Sequence, residues 1–339
     1  MSRIAVISII IAVFAPLLPG DDSVDLTEKM KDSLVFLEVS RTSWEQLQPW
    51  RQTAVSTAGV YGTAVGSNEV LTIAGPLANA TSIRARRYDQ NEYISARIKA
   101  IDYEYNLCLL ELDEAAIRTP LEPLQFSDKY SRGKDLYSYR LDSSGSITKG
   151  RAGLDRAEVQ FSPVSFVRTL YYILTTPSRP ADGGEVFCLD GAPVGIACWG
   201  SDAEVGLIPA EMIHRFLEHG RKPPYRPFGA VGFEISSLLD PAVRKFLKMP
   251  EDCRNGVYVS SVYTMGTGSS ELVAGDVILS IDSCPLNPYG RYQDPRYERI
   301  GFEHLIAQHP AGTIIPFEIF RNGKKESVDV KIQDIKADQ

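Results

Sequence analysis

No histidine occurs before residue 214; the four in the chain are His214, His219, His304 and His309. An imidazole general base is therefore excluded from everything upstream of them. No Cys-x-x-Cys or Cys/His spacing suggests zinc, and five cysteines, an odd number, do not make a disulfide framework. Cys108, Cys188 and Cys198 lie inside apolar strand-like runs, where cysteine is a small buried hydrophobe. Cys253 and Cys284 flank strands in the last third and are the pair available to an oxidising compartment. Positive charge is outnumbered, with 36 lysines and arginines against 43 aspartates and glutamates. A net charge of −7 argues against nucleic acid as a partner, because phosphate binding needs a concentrated positive face. The one dense basic spot, Arg84-Ala85-Arg86-Arg87, reads as charged protection of a solvated strand edge. Internal repeats and low-complexity segments are missing. A single apolar run, 4–18, follows Arg3 and precedes Gly20-Asp21-Asp22. It has the layout of an export signal and is short for a membrane span. The expected location is exported, periplasmic or secreted, with membrane contact only if the segment stays uncleaved.

What the chain does have is a succession of short apolar segments broken by turns. A helical turn or two over 25–32 precedes a first strand at 34–39, and a polar loop is expected over 42–58. Further strands are expected at 60–65, 70–74, 93–101 and 107–112, then at 135–139, 147–150, 157–161 and 171–175. Many short strands punctuated by turns argue for barrels or sandwiches, not βαβ units. Met212, Ile213, Phe216 and Leu217 share one face of a helix over 208–217, which Gly220 stops. The Pro-rich stretch 221–227 is the clearest domain boundary. Beyond it come strands at 231–235, 256–262 and 274–281, short helices at 242–247 and 302–308, and a hairpin turning at Asn322-Gly323.

One stretch organises the chain. Asp182-Gly183-Gly184 leads into Val186-Phe187-Cys188-Leu189, an Asp190-Gly191 turn, and a second apolar run ending at Trp199-Gly200. Asp-Gly accepts the positive φ values of a two-residue hairpin turn. The wording resembles the nucleophile segment of trypsin-like serine proteases, with Asp182 where a serine precedes the paired glycines. The unit after the linker, whose most specific word is Gly275-Asp276-Val277-Ile278-Leu279-Ser280-Ile281, resembles a PDZ domain. In order of features the whole chain resembles the HtrA/Deg family of serine proteases. The resemblance implies a mainly β fold: a signal peptide at 1–20, a trypsin-like double β-barrel over 21–220, a linker at 221–227, a PDZ-like α+β domain over 228–334, and a tail at 335–339.

The family's chemistry needs a serine activated by a histidine that an aspartate orients. In the corresponding words of this sequence Gly75 follows Leu71-Thr72-Ile73-Ala74 in the histidine's place, Asn106 opens Leu107-Cys108-Leu109-Leu110 in the aspartate's place, and Asp182 replaces the serine. The oxyanion hole uses backbone N–H groups of the serine and of a glycine two residues earlier. Pro180 stands there and has no N–H. The resemblance therefore implies a catalytically inactive homologue. Asp102, Glu104 and Glu185 match no metal-loop motif and read, like Asp182, as turn and surface charge; Ser178 has no lysine that stands out as its base. No cofactor or metal is expected. The four histidines read as surface or core-edge residues.

The site that the resemblance leaves is a PDZ-like groove, which takes a peptide as an added strand and captures its C-terminal carboxylate. Ala230-Val231-Gly232-Phe233 match the carboxylate loop, Phe233 and Ile235 would border the peptide, and the helix at 302–308 would face it. The insertion 285–299, carrying Pro288, Tyr289, Tyr292 and Tyr297, reads as a lid or docking surface. The expected function is an exported pseudoprotease that binds peptide C-termini or partner proteins, regulating an active protease or holding unfolded proteins; homo-oligomer formation is left open. Two alternatives stand beside it: a hydrolase with an unorthodox site near Asp182, and a structural envelope scaffold.

Overall fold

The computed structural model describes residues 25–251 and 253–335, so the apolar segment 4–18 and its export reading lie outside the described residues. A single helical turn, α1 (Thr27–Met30), precedes β1 (Leu34–Arg41), β2 (Ser56–Ala64), β3 (Glu69–Thr72), β4 (Ala80–Arg87), β5 (Ile94–Asp102) and β6 (Leu107–Leu112). These strands close into a barrel in the order β1-β2-β3-β6-β5-β4. All of β6 except Glu111 is buried, because one face fills the barrel and the other is covered. The sequence 42–58 is shorter as a loop than expected: β2 begins at Ser56, and a Trp44–Gln52 bridge ties the loop's base.

The basic spot at Arg84 to Arg87 is not a solvated edge. β4 pairs with β1 along most of its length and with β5 at Arg84 and Ala85, because closure leaves the barrel no edge. Arg87 is buried, and its guanidinium reaches the Thr119 carbonyl and Asp32. Arg86 donates to the Asp142 and Ser143 carbonyls of the second barrel, and Arg84 pairs with Glu38.

The second barrel comprises β7 (Asp135–Leu141), β8 (Ile147–Phe161), β9 (Arg168–Thr175), β10 (Val186–Leu189), β11 (Ala192–Gly200) and β12 (Glu204–Pro209), closed in the order β10-β11-β12-β9-β8-β7. Numbered from its own first strand, each barrel has the same cyclic order, although the two sequences show no repeat. The two strands expected at 147–150 and 157–161 are one continuous strand, bulged between Leu154 and Arg156. Asp190 and Gly191 have φ values of +47° and +79°, as a primed hairpin turn demands. Tyr139, Tyr171, Ile173, Cys188 and Cys198 of the second barrel share one core with the first. α2 (Ala210–Gly220) then packs its buried Met212, Ile213 and Phe216 against strands of both barrels.

The segment 221–227 is seated on the first barrel: Arg221 pairs with Glu69 at 2.7 Å, and the Tyr225 hydroxyl donates to Asp102. Beyond it lie β13 (Phe233–Ser237), α3 (Pro241–Phe246), β14 (Val257–Val262), β15 (Val277–Ile281), β16 (Cys284–Pro285), β17 (Arg291–Asp294), β18 (Glu298–Gly301), α4 (Glu303–Ala307), β19 (Ile314–Arg321) and β20 (Lys324–Lys331). The main sheet runs β13-β14-β15-β19-β20, which leaves β13 at one end. Asp276, fully buried before β15, accepts two 2.7 Å bonds from Arg321, so the Gly-Asp-Val-Ile word carries an ion pair that ties β15 to β19. All five cysteines are free. Cys253 and Cys284 pack in different apolar clusters, so the pairing weighed for them is not made.

The insertion after β16 docks inward. β17 and β18 form a hairpin whose Tyr297 hydroxyl lies 3.0 Å from that of Tyr172 on β9, with the Tyr130 ring edge-on at 5.1 Å. Beside it His304 on α4 is 1% exposed, which corrects the surface or core-edge reading for that residue. Burial, with Arg215 adding repulsion, lowers its pKa to about 4, so the ring is neutral in the fold at pH 7. An unfolded histidine takes up a proton below about pH 6.5, whereas the folded one does so only near pH 4. The stability held by the neutral ring is complete above the first value and drains away between the two. Glu211, whose Oε1 lies 3.2 Å from His304 Nε2, has its carboxyl shifted upward by burial and acts in the opposite direction at the acid end of that window. Moving from pH 7 to pH 5 is expected to cost about 2 kcal/mol through His304. Chemical denaturation of the wild type and His304→Gln at both pH values measures this; identical pH slopes would remove His304 from the account.

Candidate functional site

The residues that the resemblance places at a catalytic centre are built by the ends of β3, β6 and the loop before β10. Gly75 follows β3 and opens a short 3-10 turn, and its N–H donates to Asn106 Oδ1 at 2.7 Å. Asn106 sits before β6 with a positive φ of 56°, is 1% exposed, and donates from Nδ2 to Cys198 Sγ at 3.2 Å. The amide is thus a clamp between barrels. Its partner Cys198 has its thiol pKa pushed up by burial, which disfavours the reactive thiolate.

A side chain at Gly75 requires the half-exposed Val164 side chain to give way. A Cβ there would lie 2.8 Å from Val164 Cγ1, closer than real Cβ contacts come. Val164 belongs to the loop between β8 and β9. That loop is fixed by the Ser162 N–H to the Val167 carbonyl at 2.8 Å and by Ser165 Oγ to the Glu104 carbonyl at 2.9 Å.

Asp182 lies across the barrel junction. The following glycines hold the loop against the first barrel: the Gly183 carbonyl accepts from the Tyr61 N–H, and Gly184, at φ +87°, has the Tyr61 carbonyl where a Cβ would go. Arg140 Nη1 donates to Asp182 Oδ2 while its guanidinium sits 5.0 Å from the Tyr61 ring centroid. Glu185 is not surface charge, as its place in a turn suggests. It is fully buried and accepts both terminal nitrogens of Arg179, one at 3.1 Å, with Arg140 at 3.9 Å. Its Oε2 also accepts the Asp182 N–H at 3.2 Å. Asp102 is likewise buried, accepting the Tyr105 N–H at 3.0 Å as well as Tyr225. Ser178 is tied to β8 at both its N–H and its hydroxyl.

Two carboxylates and two guanidiniums therefore interlock around the Asp182 turn. Pro180 offers no N–H, and the N–H of Asp182 is already spent on Glu185. An anion arriving at this turn meets no free backbone donor from either position, and the two guanidiniums there are already paired with carboxylates. Arg140, Arg179 and Val164 are the residues that sequence reasoning missed here, and Glu185 is one it read as surface charge. Glu185 was findable in principle, since a carboxylate opening an apolar strand run needs a partner.

The second cluster lies beside β13. Ala230 accepts from the Thr267 N–H at 2.8 Å and donates to the Gln333 carbonyl at 2.8 Å, while Gly232 donates to the Thr267 carbonyl at 2.9 Å. The segment 230–232 is thus zipped onto Thr267. The Gly232 N–H is not available to a carboxylate, and a Cβ there would meet the Gly266 and Met265 backbone at 2.7 Å, so Gly232 serves the loop's packing. Ala230, Val231, Phe233 and Ile235 do border one cavity of about 650 Å³, with Phe302 stacked on Phe233 at 5.6 Å. Among the described residues β13 has a ladder partner on one side only, β14. The far wall was not expected: Phe161 and Phe166 of the second barrel line the same groove, both exposed.

No family model matches the chain. Among curated proteins it is 24% identical over 302 residues to the putative protease Do-like 3, mitochondrial, of Arabidopsis thaliana, covering 85% of this chain and 52% of that protein. It is 26% identical over 313 residues to protease Do-like 2, chloroplastic, of the same plant, covering 89% and 51%. A serine protease HtrA-like protein of Staphylococcus haemolyticus is 31% identical over 210 residues, covering 57% and 31%. The chain thus spans about half the length of the plant relatives and less of the bacterial one. In fold it is similar to the HtrA-type protease AlgW with decapeptide, at TM-score 0.65 and 18% identity over 89% of this chain and 95% of that one. A serine endoprotease from Yersinia pestis superposes at TM-score 0.58 and 15% identity, covering 90% and 95%. Its curated relatives are Deg/HtrA-like proteases and its two barrels match the fold of HtrA-type proteases, which together support the HtrA, trypsin-like family.

Proposed function

We propose that the chain is a catalytically inactive HtrA-type protein, carried across a membrane by its apolar N-terminal segment, that binds peptide C-termini through a PDZ-like domain. It then acts on other proteins by holding them or by regulating an active protease. One observation carries the inactive part: the Asp182 N–H is consumed by a buried Glu185 while Pro180 has none to give. An oxyanion in this loop would have no donor from either position, on top of the missing imidazole and hydroxyl.

The binding part is supported by the outer position of β13, whose free edge can accept a strand, and by the apolar groove that runs beside it. The decapeptide bound to the similar HtrA-type protease AlgW agrees with this reading. With Gly232 committed, carboxylate capture falls to the neighbouring backbone of Val231 and Phe233. A library of fluorescent peptides with free C-termini tests the groove by anisotropy. Binding by apolar C-termini is expected, with at least a tenfold loss for Ile235→Asp, a half-buried position bordering the groove. Unchanged affinity in that variant would move the site elsewhere, and hydrolysis of an unfolded substrate by the wild-type protein would end the inactive reading.

A further inference from the structure

We infer that the groove selects peptides bearing acidic residues upstream of an apolar C-terminus, an inference that rests on the peptide-binding reading above. A second cavity, of about 740 Å³, adjoins the groove and shares Arg168, Ile235, Phe302 and Glu303 with it. It lies between β8 and the β17–β18 hairpin. Six arginines line it, Arg132, Arg156, Arg168, Arg291, Arg296 and Arg299, against three glutamates, in a chain whose net charge is −7.

Most of that positive charge is already committed. Arg156 pairs with Asp155 and Glu158, each at 2.8 Å, Arg168 with Glu303 at 3.3 Å, and Arg296 with Glu211 at 3.0 Å. Arg132 reaches Asp155 only at 3.7 Å. Among the described residues, Arg291 and Arg299 make no ion pair. Arg291 is registered with Gly301 and Gln293 with Arg299, so Arg291, Gln293 and Arg299 share one face of the hairpin. All three are exposed, while Tyr292 and Ile300 on the opposite face are buried. Neighbouring like charges on one face of a ladder repel, and a carboxylate between them relieves that repulsion with the forked geometry that arginine favours.

The position of this face selects a peptide as the anion's carrier. A strand added antiparallel to β13 with its C-terminus opposite Phe233 runs past Ile235, the β13 residue that lines both cavities. At about 3.3 Å per residue, side chains from roughly the third residue before the terminus onward reach the arginine face. The apolar anchor and the acidic segment are thus read by consecutive stretches of one extended ligand.

Two decapeptides ending in the same apolar residues, one with serine and one with aspartate at four upstream positions, test this by fluorescence anisotropy. The acidic peptide is expected to bind about fivefold tighter at low salt, an advantage that shrinks below about twofold near 0.5 M salt because the sites are exposed. Arg291→Glu/Arg299→Glu should erase the advantage and leave the serine peptide's affinity unchanged; Arg291→Ala/Arg299→Ala guards against an effect of the new charges. Equal binding of both peptides by the wild type overturns the acidic preference and leaves the groove standing. Binding of neither overturns both.

Discussion

Restoring the triad alone, as Gly75→His, Asn106→Asp and Asp182→Ser, is expected to leave proteolysis at background. Each position has been absorbed into a different structural role, and the three are not equally hard to reverse. Asn106→Asp is the mildest, because the Gly75 N–H can still donate to the new carboxylate and the Cys198 thiol can turn to donate to it. Gly75→His meets Val164, whose loop is pinned to Glu104 through Ser165, so an imidazole enters only by turning the Val164 side chain aside. Asp182→Ser removes one carboxylate but leaves its own N–H on Glu185 and leaves Pro180 without one. Loss of a single oxyanion donor costs about 10²–10³ in rate, so two absent donors alone keep a perfect triad near background.

Activity should emerge only when Pro180→Gly, Val164→Gly and removal of the Glu185 acceptor are added to the three. The measurement is cleavage of an unfolded protein substrate by the purified variants beside an inhibitor-treated control. A triple variant that cleaves well would show that the loop refolds around a serine unaided and that the ion network is decoration. Expected instead is a stepwise series, with the largest gain on freeing the two donors.

Much of the fold was legible because its signals are local. The Asp190-Gly191 and Asn322-Gly323 turns, the apolar stripe of α2 and the order of short strands are decided within a few residues of where they are read. Barrel closure is not local, and it is why Arg84 to Arg87 looked like an edge: nothing in that segment records that β1 covers it. The break expected between 150 and 157 does not occur, because a twisted barrel strand takes Gly150 and Gly153 and bends at a bulge beyond them. Gly75, Asn106, Pro180 and Asp182 were each picked out by a resemblance, but what surrounds them was not visible. Val164 comes from another barrel, and Arg140 is 42 positions from the Asp182 it binds. The groove shows the same limit: Ile235 and Phe302 lie in one unit, whereas Phe161 and Phe166 reach in from the barrel before it.

The largest stability effect is expected at Glu185, which is buried beneath the Asp182 turn. Glu185→Ala should destabilise the protein by about 3–5 kcal/mol, because it strands the Arg179 guanidinium, and with it part of Arg140's field, in a mostly dry pocket. The partial exposure of Arg179, 20%, favours the lower end of that range, since water can reach one side of the orphaned charge. Glu185→Gln should cost less, as an amide oxygen can keep one bond to Arg179 and one to the Asp182 N–H. Removing both partners, as Arg179→Met/Glu185→Leu, should return stability to within about 1 kcal/mol of the wild type, since a matched apolar pair carries no desolvation penalty. Guanidinium denaturation of the wild type, Arg179→Met, Glu185→Leu and the double variant gives the cycle, with Glu185→Ala and Glu185→Gln measured beside it. A loss under about 0.5 kcal/mol for Glu185→Ala would mean that the pair behaves as an exposed one. The expected pattern, a severe single and a mild double, separates a network retained for fold stability from one retained for specificity: the double variant folds with its Asp182 N–H released, and any anion affinity it gains at that turn measures what Glu185 had been blocking.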